Sequence, residues 1–216
     1  MENTAGKRRP KYLDTWLKSK KMMNCLKDDI FSTLREYKKS FPHEDVRSLL
    51  VFAESMPACT SRKNPDGHFT ASGLVIHDGK VLLIFHNKLQ RYLQPGGHVE
   101  ADDESLFHAA RREVEEETGL SVRAHRAFRE QPIHIDVHTI PENKKKSEPE
   151  HLHYDCMFVF ELAAAASDVR LQEEEVSGFQ WVPMDHDFKD AGIAVAVEKI
   201  QSKLEKYTTL PSEQDF

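Results

Sequence analysis

Cysteine is scarce in this chain. Its 216 residues include three, Cys25, Cys59 and Cys156, set far apart and without a C-x-x-C pair. That spacing argues against a zinc knuckle or a disulfide framework and suits a reducing, cytoplasmic setting. No apolar run approaches the roughly 18 residues that span a bilayer. The first residues also lack the apolar core of a signal peptide, so no membrane partner is expected. Positive charge is not in excess: the formal net charge is −6, which gives no general attraction to polymeric nucleic acid. Internal repeats are missing as well. What is present, 39% hydrophobic and 31% charged residues, fits an ordinary soluble protein with one domain plus additions, or two small domains. The short basic cluster Gly6-Lys7-Arg8-Arg9-Pro10 reads as a frayed tail. Much of the acid is local, gathered between Glu100 and Glu117.

Apolar positions at Leu13, Trp16, Leu17, Met23, Leu26, Ile30, Leu34 and Tyr37 recur mostly at intervals of three and four, which predicts an amphipathic helix. A second helix is expected after Phe41-Pro42, with Pro42 in its first turn and Val46, Leu49, Leu50 and Ala53 buried. The segment from Pro57 to Gly67 reads as a loop. The reading divides the chain into an N-terminal helical extension (1–60), a main domain (61–210) and a tail (211–216).

The period then shortens. His68–His77 and Lys80–His86 are β-rich runs joined by Asp78-Gly79, a strong hairpin signal. Gln94-Pro95-Gly96-Gly97 leads into a helix over about Glu104–Thr118, ended by Gly119. Strands are expected over Val122–Arg129, Ile133–Ile140, Leu152–Leu162 and Glu175–Val182, and a last helix over Asp190–Tyr207. Strands on both sides of a central helix imply an α+β or α/β sandwich with a mixed sheet.

The central helix carries the densest chemistry. Glu113, Glu116 and Glu117 stand at i, i+3 and i+4 and share a face, while Leu106, Ala110 and Val114 line another. Like charges at that spacing weaken a helix by a few tenths of a kcal/mol per pair. The macrodipole also disfavours anions near a helix C-terminus. A cation between the carboxylates would offset both penalties, and an all-oxygen donor set suits Mg²⁺ or Mn²⁺ better than zinc. Taken alone, E-x-x-E-E reads more simply as a solvated acidic face.

It does not stand alone. Gly97, Glu104 and the run Arg112-Glu113-Val114-Glu115-Glu116-Glu117-Thr118-Gly119-Leu120 resemble the Nudix box, G-x5-E-x7-R-E-U-x-E-E-x-G-U, where U is aliphatic. Every defined position from Glu104 onward matches. Six residues rather than five separate Gly97 from Glu104, an insertion in the loop before the helix that leaves the placement of Glu100 open. The resemblance covers roughly residues 68 to 207 and implies the Nudix fold, an α/β/α sandwich, with the N-terminal helices outside the common core. It further implies that Glu113, Glu116 and Glu117 bind metal, that Arg112 orients Glu113, and that Glu104 helps hold the helix or a metal-bound water. One of Glu173, Glu174 and Glu175 could add a carboxylate.

Twelve histidines form a second pattern. His134, Asp136 and His138 alternate along one expected strand, and His151, His153 and Asp155 along the next, so paired strands would bring the two sets face to face. Such groups can bind a transition metal at a second site, bind phosphate, or bond to one another as structural residues. His68 and His98 also resemble, in position, two metal ligands of isopentenyl diphosphate isomerase, and His153 and Asp155 fall near two of its glutamates. The isomerase's reactive cysteine would fall near Gly96 and a further histidine ligand near Ser61. Neither is present, so isomerisation is not expected.

The leading function is therefore divalent-metal-dependent hydrolysis of a diphosphate linkage in a small molecule, nucleoside diphosphate-linked or related. The alternatives are a nucleotide-sensing module that does not cleave and an isomerase-like enzyme. Arg91 and Glu100, on either side of the Gly-Gly turn, are candidates for substrate contact, as are Lys88, Tyr92, Phe128 and Lys144–Lys146; solvent exposure is the simpler reading for Lys88 and Arg91. The N-terminal helices could cap the pocket, pair two chains into a homodimer, or extend the core.

Overall fold

The computed structural model describes residues 11–56, 58–144, 148–164, 169–172 and 176–208, with side chains from Leu26 onward. Helices α1 (Lys11–Ser40) and α2 (Arg47–Ser55) precede strands β1 (Gly67–His77), β2 (Lys80–His86), β3 (Arg91–Leu93) and β4 (Gly96–His98). Helix α3 (Leu106–Thr118), strands β5 (Val122–Ala124), β6 (His134–Ile140), β7 (His151–Leu162) and β8 (Val176–Pro183), and helix α4 (Ala191–Thr208) follow.

The strands form one mixed sheet in the order β3-β2-β1-β7-β5, with β4 joined to β1, β6 to β7 and β8 to β2. Among the described residues, only β1 and β7 pair in parallel. The hairpin between β1 and β2 turns on Asp78 (φ 47°) and Gly79 (φ 71°), the two left-handed residues that a tight two-residue turn needs.

Alternation along β1 sorts its residues to two faces. Phe69, Ala71 and Val75 pack in a cluster with Leu26, Ile30 and Leu34 of α1, Leu49 and Ala53 of α2, and Leu106, Ala110 and Val114 of α3. Gly73 faces the same way. A Cβ there would lie 2.7 Å from Val114 Cγ2 and 2.6 Å from the Phe160 ring, so α3 can come down on the sheet only over a glycine. Leu74 faces the other way and packs with Met157, Val159, Ile193, Val197 and Ile200, which seats α4. The result is an α/β/α sandwich, as expected, with α1 and α2 sharing the core of α3.

Several boundaries differ from the sequence reading. Helix α2 starts at Arg47, beyond Pro42, because the Asp45 carboxylate accepts from the Arg47 N–H and holds a turn there. The strand expected over Val122–Arg129 stops at Ala124. The chain then turns back, Phe128 N–H to His125 O, which buries Phe128 under α4 and removes it from the candidate substrate contacts. Helix α3 starts at Leu106 rather than Glu104, with Ser105 as its cap. The side chains of Leu13, Trp16, Leu17, Met23 and Cys25, and all of Lys145, Lys146 and Glu173–Glu175, lie outside the described residues. Among the described residues, no helix is long and apolar enough to cross a membrane.

Candidate active site

Two features fix α3. At its start Ser105 Oγ accepts from His108 N–H (3.1 Å), and Asp29 of α1 reaches across to accept from Leu106 N–H (2.8 Å). Both satisfy donors that a helix N-terminus leaves open. At its end Gly119 takes a left-handed conformation (φ 67°) and donates to Glu115 O.

On this fixed helix Arg112 is the hub. Its guanidinium grips Asp103 with two bonds (Nε 3.1 Å, Nη2 2.9 Å). It also meets Glu113 Oε1 at 2.9 Å, Glu116 Oε2 at 3.1 Å and the His98 carbonyl at 2.9 Å. Glu117 is buried and accepts from Gly96 N–H at 2.9 Å. The Gly-Gly pair is sterically required: a Cβ on Gly96 would lie 2.4 Å from Ser72 Cβ, and one on Gly97 would lie 2.7 Å from the Glu113 carboxylate. Three carboxylates, Asp103, Glu113 and Glu116, thus meet one guanidinium, an excess of two negative charges if all are ionised, and Glu117 adds a fourth carboxylate on the Gly96 N–H. Burial pushes Glu113 up to about 7 even though Arg112 beside it pulls the other way, with Glu116 and Asp103 adding to the rise. A groove of about 420 Å³ runs beside this cluster, lined by His108, Arg111, Arg112, Glu115 and Glu116.

Asp103 was missed in the sequence, although the signal was there. Counting five residues from Gly97 reaches Asp103; counting back from the helix reaches Glu104. The inserted residue separates the two counts, and the folded chain gives the contact with Arg112 to Asp103. Glu104 stands apart, its side chain 82% exposed and 3.6 Å from His108. Glu100 is exposed, and its backbone N–H donates to Asp103 (2.7 Å). Arg91 pairs with Asp190 at 3.3 Å.

The histidines gather on the other face of the sheet. Strand β6 pairs with β7 in the register Asp136↔Asp155 and His138↔His153, so the two alternating sets meet as expected. His68 pairs with His153 across β1 and β7, and Thr70 with His98 across β1 and β4. One ligand nitrogen from each of His68, His98 and His153 lies within 4.8 Å of the others, the single such group of three metal-binding side chains among the described residues. The helical glutamates do not converge that closely. Asp155 lies outside the triad; it is buried and accepts from Thr70 Oγ1 (3.1 Å) and from Ser72 Oγ, and burial raises its carboxyl despite these bonds. His138 is hydrogen-bonded to Asp136, which raises its imidazole. His134 lies instead beside Lys199 (3.2 Å). Burial, with the neighbouring imidazoles adding to it, lowers His68 to about 4 and holds His153 still further below the ordinary value, so both rings are neutral near pH 7.

Comparison with known proteins decides the family. The profile described as NUDIX domain matches residues 67–195, more than half of the chain. The chain belongs to the Nudix family. It is 30% identical over 138 residues to a protein of Lactococcus lactis subsp. cremoris (strain MG1363) named probable DHNTP pyrophosphohydrolase, covering 63% of this chain and 80% of that one. Similar solved structures include a NUDIX-family hydrolase from Clostridium perfringens (22% identity, TM-score 0.47, 62% of this chain and 97% of that one). Another is the E. coli dihydroneopterin triphosphate pyrophosphohydrolase (15% identity, TM-score 0.44, 61% and 92%). The Arg112 cluster lies on the helix that bears the family's box.

Proposed function

We propose that this Nudix enzyme hydrolyses a diphosphate linkage in a small, nucleoside diphosphate-linked or related molecule, using Mg²⁺ or Mn²⁺ held by glutamates of α3. The observation that carries the reading is the unbalanced charge around Arg112, three carboxylates against one guanidinium, with Glu117 beside them on the same helix. The donor set is oxygen throughout, which is what hard divalent cations take. Gly97 leaves open the space against which Glu113 rests, as a carboxylate that must stay free to shift toward a ligand requires.

Glu113, Glu116 and Glu117 would hold the ion. When bound, it would neutralise the diphosphate and acidify a coordinated water. The remaining work falls to side chains. Arg112 fixes the Glu113 and Glu116 carboxylates on one side and is itself fixed by Asp103. Glu116 is half-exposed, so its rotation away from Arg112 meets little resistance. Glu113, or a carboxylate outside the helix, would accept the proton of the attacking water. Attack at one phosphorus then releases a monophosphate and a second phosphorylated product.

The test is a panel of nucleoside diphosphate-linked compounds, nucleoside triphosphates and DHNTP, the last suggested by the name of the Lactococcus relative. Each is assayed with Mg²⁺ and with Mn²⁺, and products are identified by mass. Hydrolysis that EDTA abolishes and that labels one product phosphate with ¹⁸O from water is expected. Nucleotide binding without cleavage across the panel would show a sensing module instead.

A further inference from the structure

We propose that His68, His98 and His153 form a binding site for one divalent transition-metal ion, on the sheet face turned away from α3. The proposal goes beyond the hydrolytic reading and does not depend on it.

Three strands build the site. His68 opens β1, His98 ends β4 and His153 lies near the start of β7, and the pairings of β1 with both other strands bring the three rings together. Ring centroids stand 5.1 Å apart for His68 and His98, 4.5 Å for His68 and His153, and 5.4 Å for His98 and His153. One nitrogen of each lies within 4.8 Å of the others. A tetrahedral ion with Zn–N bonds of about 2.0–2.1 Å needs nitrogens roughly 3.4 Å apart, so the three rings would draw inward on binding.

The decisive feature is His68. It has no solvent exposure, and neither Nδ1 nor Nε2 has a hydrogen-bond partner. A neutral imidazole always carries one N–H donor and one acceptor lone pair, so burial with neither satisfied is uncommon for a structural histidine. A metal ion takes up the lone pair and so satisfies one of the two orphaned nitrogens. The surroundings also select the class of ion. All three donors are imidazole nitrogens, while the buried Asp155 carboxylate on the same strand as His153 is engaged by Thr70 and Ser72. Imidazole suits zinc, cobalt, nickel or copper, whereas magnesium and calcium require oxygen.

Three protein ligands leave a fourth position for water, an anionic oxygen or a further histidine. His151 is placed for the last role. Its Nδ1 is held on the Pro149 carbonyl at 2.8 Å, which turns Nε2 inward to 3.3 Å from His153 Nε2.

The experiment uses the full-length protein without an affinity tag, stripped with chelator and kept in excess Mg²⁺ so that the glutamates are saturated. Co²⁺ is titrated in, followed by visible absorption and thermal melting. One equivalent is expected to bind, with d–d bands of a nitrogen-rich site of low coordination number, a raised melting temperature and displacement by Zn²⁺. His98→Gln and His153→Gln should each weaken Co²⁺ binding by roughly 100-fold or more, and Glu116→Gln should leave it unchanged. His68→Gln alters a fully buried residue and can fail to fold. The two half-buried histidines therefore carry the test, with circular dichroism of the stripped variants confirming that they are folded. Binding below roughly a tenth of an equivalent overturns the proposal. So does tight binding that survives both histidine variants or is lost in Glu116→Gln.

Discussion

Gly97 and His98 are neighbours in the chain, yet they serve opposite faces of the sheet. Gly97 leaves room for the Glu113 carboxylate on the side of α3. His98 sends its ring to His68 and His153 on the other. The two clusters differ as much in physics as in position. Around Arg112 the charges are formal, unbalanced and close to a groove, so the cluster attracts a hard cation and a polyanion together. Around His68 the donors are uncharged imidazole nitrogens where burial has pushed His68 and His153 well below the ordinary value, and long-range charge does little there. A strand's two-residue period lets one short segment supply a hard site and a soft one without mixing their donors.

The comparison can be broken most forcefully at Glu116. Glu116→Gln should lower kcat by about 10³-fold or more, equivalent to about 4 kcal/mol at the transition state. Its melting temperature should stay close to that of the parent, because Arg112 keeps Asp103 and Glu113. Undiminished turnover with a proven metal requirement would remove the glutamate assignment.

Gly97→Ala sharpens the contrast between the faces. Its new methyl group would lie 2.7 Å from the Glu113 carboxylate, and displacing a reacting group by about 1 Å costs on the order of 10²-fold in rate. Cobalt binding on the opposite face should persist. Loss of both would mean that β4 shifts as a whole.

Asp103→Asn and Glu104→Gln, compared side by side, test which residue the inserted position leaves in the working place. The Asp103 side chain is 6% exposed and doubly bonded to Arg112, against 82% exposure for Glu104. The aspartate variant should lose about 1–3 kcal/mol of stability and should lose more activity than the glutamate variant. The reverse order, measured by urea melts and kcat/KM, would restore Glu104 to the role.

The smallest effect is expected away from both clusters. Glu44, after α1, pairs with Lys199 of α4 and accepts from the Tyr37 hydroxyl. Burial alone would raise Glu44, but these two partners outweigh it and hold its carboxyl below the usual value. The group therefore adds stability above the unfolded-state value of about 4.5, and that contribution is lost as pH falls through the lower folded value. Glu44→Gln should cost about 1 kcal/mol at pH 7 and flatten the acid limb of the stability curve. A matching fall in kcat would show that the clamp between α1 and α4 also shapes the active site.

Local periodicity made the acidic helix legible. Glu113, Glu116 and Glu117 share a face because 3.6 residues complete a turn, and the motif around them carries the family and its fold. The alternating histidines on β6 and β7 were legible for the same reason, once the two strands were taken as a pair. What spacing along the chain could not decide was which partners each side chain meets. Only the folded loop gives Arg112 to Asp103 rather than Glu104, only the turn at His125 buries Phe128, and only the joining of β1, β4 and β7 gathers His68, His98 and His153. Short-range geometry is written into consecutive residues. Convergence across strands far apart in sequence depends on which sheet edge each strand finds, and the packing of the whole core sets that.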